Sequence, residues 1–454
     1  MTGPTPTNRA TAVPTSRARR LAGLGGMATG IAGSVAMGGL RQLLAGQRPD
    51  MRGLLLTPAN VTRLADQLAR MRGAAMKVGQ LVSMDAGEIL PPDLARIMAR
   101  LRADADYMPP RQLRDVLTRA WGADWHRRFA RFDVRPIAAA SIGQVHRALT
   151  RDGRDLAIKV QYPGVARSID SDVDNVGALI RLSGLLPPGF DLAPLLAEAK
   201  SQLRDETDYL READQIRAFR DLLGTGTFDL PDPQDDLTGA GVLAMTYLEG
   251  APVEAIEDQP QAIRDAVMRD LLDLMFREMF DFGLMQSDPN FANYRVNGDT
   301  GRVALLDFGA TRPVPRDVAD GYRHLFAAAM DRNGDGLREA ALTLGFFAPD
   351  TAPRHQQMVL DMLALVFAPL AEGRAFDFGD PALARAIHQA GMEMAAERDF
   401  VHVPPIETLY MQRKFGGLFL LGSRLRARVD LAGLLRAWVD TARTNENAPR
   451  VRGV

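Results

Sequence analysis

The segment 288–309 limits the fold more than any other stretch of the chain. It opens on Asp288-Pro289-Asn290-Phe291-Ala292-Asn293, passes through Tyr294-Arg295-Val296, and turns at Asn297-Gly298-Asp299-Thr300-Gly301. A second apolar run, 303–306, then delivers Asp307-Phe308-Gly309. Two short strands joined by an Asn- and Gly-rich turn read as a β-hairpin, because those residues reach the backbone angles a tight turn demands. A hairpin returns its ends to one place. Asn293 at its start and Asp307 at its finish are therefore expected close enough to share metal ions, and both offer the oxygen donors that a hard cation prefers.

Two spacings sharpen that reading. Asp288 and Asn293 keep the D-x-x-x-x-N interval of a kinase catalytic loop, in which the Asp handles the proton of the nucleophile and the Asn oxygen binds Mg²⁺. Upstream, Leu156-Ala157-Ile158-Lys159-Val160 sets a lysine on a strand that reads as buried, where an unpaired ammonium is costly. It is one conservative step from the Val-Ala-Ile-Lys strand of protein kinases, whose lysine holds the α- and β-phosphates of ATP. Each motif alone has a plain alternative: a surface lysine, an Asp-Pro turn, a strand-terminating Asp-Phe-Gly. Three of them in kinase order point to Mg–ATP chemistry.

The chain around these motifs is long enough for more than one domain, with 454 residues, 46% of them apolar and 24% charged. A net charge of −1 supplies no global attraction to nucleic acid, and none is expected as a partner. No cysteine is present, which removes thiolate chemistry and zinc-thiolate sites and fits a reducing cytoplasm. The six histidines never stand at the spacing of a helical metal site. Residues 1–50 read as a disordered and Gly-rich leader. Within it, the uncharged stretch 21–40 has the length of a membrane span, but seven of its twenty positions are Gly, so an interfacial or partner-packed segment is expected. Residues 51–130 read as a helical extension, with Leu64, Leu68, Met71 and Ala75 at helical spacing. Residues 131–250 read as a small lobe of antiparallel strands with a helical insertion, Asp152-Gly153 turning between strands 144–149 and 156–161. Residues 251–454 read as a helical lobe. The fold class expected is α+β: a bilobal protein-kinase-like fold with a helical N-terminal extension.

The remaining motifs narrow the family. Ala138-Ala139-Ala140-Ser141 stands where a glycine-rich loop should precede Lys159; Lys77-Val78-Gly79-Gln80 lies well upstream; and Glu206-Thr207-Asp208-Tyr209-Leu210-Arg211-Glu212 lies between Lys159 and Asp288. Together these resemble the UbiB (AarF/ADCK) family of atypical kinases, with its alanine-rich loop, KxGQ segment and ExD motif, over roughly residues 58–330. The resemblance implies that Glu212 pairs with Lys159, that Glu206 and Asp208 face Lys77 with Gln80 beside it, and that Asn293 and Asp307 bind Mg²⁺. It also implies that ATP or ADP is held by Ala138, Ala139, Ala140, Ser141 and Lys159, with Met245 and Tyr247 at the connector after strand 242–245. Asp208 and Glu212, four apart, are expected on one helix face. The process the resemblance implies is ubiquinone biosynthesis or lipid handling, in the cytoplasm or peripherally at the inner membrane, with anionic lipid, quinone intermediates or quinone-biosynthesis proteins as partners.

Two departures bear on chemistry. Gln286 stands where a catalytic-loop His is often found in that family, and Asn290-Phe291-Ala292 replaces His-Pro-Gly. Beyond Asp307-Phe308-Gly309 no Ala-Pro-Glu follows and a helix is expected at 316–330, which leaves no platform for an extended peptide. A true protein kinase and a nucleotide-gated lipid-binding module without turnover are the alternatives. Three other features carry less. Asp331-Arg332-Asn333-Gly334-Asp335-Gly336 opens like a calcium loop, but Leu342 stands where the bidentate carboxylate is required, so a helix–helix turn is expected. Arg413-Lys414-Phe415-Gly416-Gly417 reads as a solvated helix junction or a lipid contact. Trp121 and Trp125 read as core.

Overall fold

A computed structural model describes residues 107–140, 142–182, 192–397, 402 and 404–446, with 37, 73–75 and 77–78. Apart from Met37, the stretch 21–40 lies outside the described residues, as do Gln80 and Ser141. The elements run α1 (Pro110–Trp121), β1 (Phe129–Phe132), β2 (Ala138–Ala139), β3 (Gly143–Thr150), β4 (Asp155–Gln161), α2 (Val165–Leu182), α3 (Ala193–Glu206), α4 (Tyr209–Leu223), β5 (Phe228–Asp229) and β6 (Val242–Thr246). They continue with β7 (Ala251–Pro252), α5 (Gln261–Arg277), β8 (Leu284–Gln286), β9 (Tyr294–Val296), β10 (Val303–Leu305), β11 (Thr311–Pro313), α6 (Arg316–Met330), α7 (Gly334–Thr343) and α8 (Pro353–Ala371). The last are β12 (Phe376–Asp377), α9 (Pro381–Ala396), α10 (Ile406–Leu425), β13 (Arg428–Val429) and α11 (Leu431–Glu446). No helix among the described residues is long and apolar enough to cross a membrane.

Two compact units result. The first takes the described residues up to Asp214 and Asp232–Tyr247; the second takes Gln215–Pro231 and the described residues from Leu248 onward. The first holds an antiparallel sheet with helices beside it and the second is mostly helical, which is the α+β pattern expected.

In the first unit, β1, β3, β4 and β6 form one sheet in that order, and β2 adds to β3. The turn between β3 and β4 closes on Gly153, whose φ of 91° no side chain adopts cheaply. β4 is the central strand and reads as a near-continuous apolar run because it is covered on both faces. Leu156, Ile158 and Val160 point to a core shared with Leu113 and Leu117 of α1 and Val242 and Ala244 of β6. Trp121 and Trp125 pack against this core, and Trp121 Nε1 donates to the Leu237 carbonyl at 2.9 Å. Successive strand residues alternate faces, so Lys159 projects opposite Ile158 and Val160. The apolar neighbours thus fix which way the lysine points.

In the second unit, β10 is flanked by β9, antiparallel, and β5, parallel, with β7 beyond β9. Tyr294 pairs with Leu305 and Val296 with Val303, in the hairpin expected from the turn sequence. A second short ladder joins β8 to β11. Helix α5 widens into a π-turn at Glu278–Phe282 and stops at Gly283, whose φ of 59° is left-handed. Single π-turns of this kind recur at functional sites. The calcium-like loop is a helix–helix turn: Asn333 accepts from the Gly336 N–H at 3.0 Å and caps α7.

Candidate functional site

In the first unit, the buried Lys159 places Nζ 2.5 Å from Glu212 Oε1, with side-chain exposures of 8% and 2%. Each charge is removed from water and survives only because the other is there. Glu212 is brought to the strand by the start of α4. Gln161 Nε2 donates to the Thr207 carbonyl at 2.6 Å, and a Cβ on Gly143 would lie 2.5 Å from the Val160 carbonyl oxygen and 3.0 Å from the Tyr209 hydroxyl. Glycine is needed at 143 for the chain to come that close.

The acidic segment does not lie on one helix. Helix α3 ends at Glu206, Thr207 follows as its cap, and α4 begins at Tyr209. Asp208 stands at the break, where its Oδ1 accepts from the Arg211 N–H at 3.0 Å. The expectation of Asp208 and Glu212 stacked on one face is thus corrected: an Asp preceding a helix competes for the orphan N–H groups of the next first turn, and here it wins them. Glu206 alone of the two ExD acids is paired with Lys77, Nζ to Oε1 at 2.6 Å.

The alanine loop is the tight return from β2 to β3. Ala138 pairs with Val145 and Ala139 with Gln144, both alanines are exposed, and the Ala140 N–H donates to the Gly143 carbonyl at 2.9 Å. Met245 is buried on β6. The Tyr247 ring lies 3.9 Å beneath the guanidinium of Arg147, and its N–H donates to the Asp155 carbonyl at 2.9 Å. Below the loop, Gln144 Oε1 accepts from the Met108 N–H and its Nε2 meets His146 Nε2, each at 2.8 Å, while His146 Nδ1 meets the Asp133 carbonyl at 2.7 Å. Burial pushes the His146 imidazole below its ordinary pKa, against the opposing pull of Asp133.

In the second unit, the hairpin sets Asn293 beside Asp307. The Leu306 N–H donates to the Asn293 carbonyl at 3.0 Å, one residue before Asp307. Asn293, Asp307, Gln286 and Glu278 line one small cavity. Asp307 Oδ1 accepts from the Gly309 N–H at 3.0 Å, and Phe308, fully buried, is 5.0 Å from the Phe219 ring, which anchors the turn. Asn293 Nδ2 reaches the Asp288 carbonyl at 3.4 Å, which sets the rotation of its amide. No group of three acidic or imidazole ligands occurs among the described residues. One carboxylate and one amide oxygen are a small donor set, and Mg²⁺ suits such a set because it keeps water and phosphate oxygens as its remaining ligands. The residues fit the ion.

The helix read as a solvated junction is the largest correction. Lys414 is 2% exposed, 2.9 Å from Glu278 Oε2, and donates to the Gln286 carbonyl at 2.9 Å. Arg413 Nη2 lies 2.7 Å from Asp288 Oδ1, with the arginine side chain 9% exposed. Burial alone would lower the Lys414 pKa, but Glu278 and Tyr294 outweigh it and hold the ammonium charged. A signal was present: Met411, Lys414, Leu418, Leu421 and Leu425 follow helical spacing, and all are buried. A lysine inside an apolar stripe asks for a carboxylate, not for water.

With this geometry established, comparisons place the chain among known proteins. A family model described as the ABC1 atypical kinase-like domain matches residues 100–341. The chain is 35% identical over 433 residues to "Atypical kinase COQ8, mitochondrial" of Saccharomyces cerevisiae, covering 95% of this chain and 86% of that protein. It is 36% identical over 427 residues to "Atypical kinase COQ8B, mitochondrial" of Rattus norvegicus, covering 93% and 80%. Among solved structures, the complex of Rv3197 with erythromycin from Mycobacterium tuberculosis is similar at a TM-score of 0.58 and 26% identity, over 82% of this chain and 93% of that one.

Proposed function

Because this chain belongs to the ABC1 atypical kinase-like family, we propose that it binds Mg–ATP and moves the γ-phosphoryl group in support of isoprenoid-quinone (ubiquinone) biosynthesis or lipid handling at a membrane surface. The family is one of kinase-like phosphotransferases. The observation that carries the nucleotide reading is the buried Lys159–Glu212 pair. An ammonium so placed is oriented and charged, ready to take phosphate oxygens, and no packing role needs an ion pair there.

In this reading Lys159 holds the α- and β-phosphates, and the Ala138–Ala140 turn, with Met245 and Tyr247, contributes to the nucleotide. Asn293 and Asp307 hold the magnesium ion, which when bound neutralises charge on the phosphates. Asp288 receives the proton of the acceptor hydroxyl or water as that oxygen bonds to the γ-phosphorus and the bond to ADP breaks. Lys77 and Glu206 act from outside this set as a restraint on it.

The acceptor is a small molecule, a lipid or water in preference to a protein. Only residues 310–315 separate Gly309 from α6, and β11 occupies part of them. That interval leaves no chain for a peptide-binding platform after Gly309. The kinase relatives carry the word mitochondrial in their names. By analogy, this chain works at a membrane bearing the quinone pathway, with anionic lipid or pathway proteins as its neighbours.

The test is thermal stabilisation by nucleotide. A ligand at a hundred times its Kd adds about 2.7 kcal/mol to the folded state. Mg–ATP or Mg–ADP should raise the melting temperature of the wild type and leave Lys159→Met unchanged. A wild type indifferent to both nucleotides would remove the proposal.

A further inference from the structure

Helix α10 lies beyond the residues matched by the family model, which end at 341, yet one face of it is packed onto the strand and loop that carry Asp288. Four successive residues of that loop are each held. The Gln286 N–H donates to Glu278 Oε1 at 3.2 Å, and its carbonyl accepts from Lys414 at 2.9 Å. The Ser287 hydroxyl and N–H both donate to the Ala310 carbonyl, at 2.8 and 3.1 Å. Asp288 Oδ1 accepts from Arg413 at 2.7 Å. Pro289 sits against Gly417 so closely that a Cβ there would be 2.2 Å from the proline Cβ. Gly417 lies three and four residues beyond Lys414 and Arg413 and so neighbours both on the helix surface. The Tyr410 ring, one turn earlier, lies 5.1 Å from the Arg312 guanidinium on β11.

Arg413 differs from the other restraints in what it touches. Lys414 and Glu278 hold backbone; Arg413 holds the carboxylate itself, and by one oxygen. A guanidinium keeps its proton at any pH a protein survives and presents its N–H groups in a fixed plane, so it sets the direction of the group it binds. The contact made by Arg413 is to Oδ1, which fixes the plane in which Oδ2 lies.

We propose that Arg413 is a positioning residue for phosphoryl transfer: it fixes the rotation of the Asp288 carboxylate so that Oδ2 meets the acceptor, while Lys414 fixes the strand beneath. The inference rests on the reading of Asp288 as the proton-receiving group. In the step it serves, the acceptor oxygen bonds to the γ-phosphorus, its proton passes to Asp288 Oδ2, and the bond from the phosphorus to the bridging oxygen breaks with its electron pair leaving on ADP. Arg413 touches none of the reacting atoms. It acts through Asp288.

The experiment compares full-length wild type, Arg413→Ala, Arg413→Lys, Asp288→Asn and the Asp288→Asn/Arg413→Ala double variant. Mg–ATP-dependent phosphate release, Mg–ADP binding and hydrogen exchange over residues 284–293 are measured on each. Arg413→Ala should lower kcat about thirty-fold, within the range that misplacing a reacting group by an ångström costs, with KM for ATP and ADP affinity inside about twofold. Arg413→Lys should recover part of that loss. The double variant should be no slower than Asp288→Asn, because the arginine has nothing left to aim. Losses that multiply in the double variant, or a raised KM at unchanged kcat, would overturn the proposal. If even the wild type releases no phosphate, the turnover reading fails and the positioning role falls with it. With turnover present, faster exchange at 284–293 in nucleotide-free Arg413→Ala supports the restraint on Asp288, and exchange equal to wild type overturns it.

Discussion

Lys77 and Glu206 form an ion pair of 2.6 Å in which the lysine side chain is 3% exposed and the glutamate 15%. The pair ties a segment well upstream of the sheet to the last residue of α3, next to the break that starts α4 and hence to the element that carries Glu212. A charge this deep is a constraint with a direction.

Replacing that lysine should separate regulation from folding. Breaking a buried pair by removing one partner costs about 3–5 kcal/mol, and the partial hydration of Glu206 puts Lys77→Ala near the lower end. For a unit of this size that is a fall of roughly 6–12 °C in melting temperature, with the folded circular-dichroism spectrum retained. The same variant should change the preference between ATP and ADP or the level of autophosphorylation. A well-folded Lys77→Ala with the wild-type nucleotide profile would count against a regulatory role.

The Lys159–Glu212 pair predicts a cycle. Glu212→Ala leaves a buried ammonium without a partner and should cost about 3–5 kcal/mol; Lys159→Met/Glu212→Leu, which removes both charges, should cost less than Glu212→Ala alone. Both should lose nucleotide binding. Denaturant unfolding of the wild type and the two variants checks the energies, and a double variant less stable than Glu212→Ala would mean that the pair is not coupled.

Gly143→Ala is expected to destabilise by about 1–3 kcal/mol, because the new methyl group meets the β4 backbone at Val160, which cannot rotate away. The loss should show as a lower denaturant midpoint with an unchanged slope. A neutral substitution would mean that β3 and β4 can separate at the site.

His146 gives the first unit a pH dependence of known sign. Nδ1 meets a carbonyl and so carries the hydrogen, leaving Nε2 to accept from the Gln144 amide; protonation would set two donors face to face. Its pKa is lowered on folding, so the unfolded chain binds the proton more readily. The contribution is intact above the ordinary value of 6.5 and is lost as pH falls from there toward the folded value. Unfolding free energy should therefore decline between pH 7 and 5 in the wild type more steeply than in His146→Gln. Parallel curves would place the titration elsewhere.

Much of this architecture could be read from local signals. The turn residues 297–301 placed the hairpin, the apolar run around Lys159 marked a buried lysine in need of a partner, and the missing carboxylate at Leu342 identified a turn in a sequence that opens like a calcium loop. Two features could not be read that way. The break after Glu206 depends on Asp208 winning the capping contact over continuation of the helix, a contest of small energies that periodicity does not report. The role of Arg413 and Lys414 depends on partners more than a hundred residues earlier, 125 for Asp288 and 128 for Gln286, and no local pattern spans that interval. A lysine in the apolar stripe of α10 says that a partner exists without saying which.

In the proposed mechanism the hairpin-borne Asp307 serves Mg–ATP turnover. That role is tested most directly by magnesium-dependent phosphate release from ATP, with and without anionic liposomes, in wild type and Asp307→Asn. Release that liposomes increase and that Asp307→Asn loses is the predicted result. Nucleotide binding with no phosphate released under either condition, or release that survives in Asp307→Asn, would contradict it.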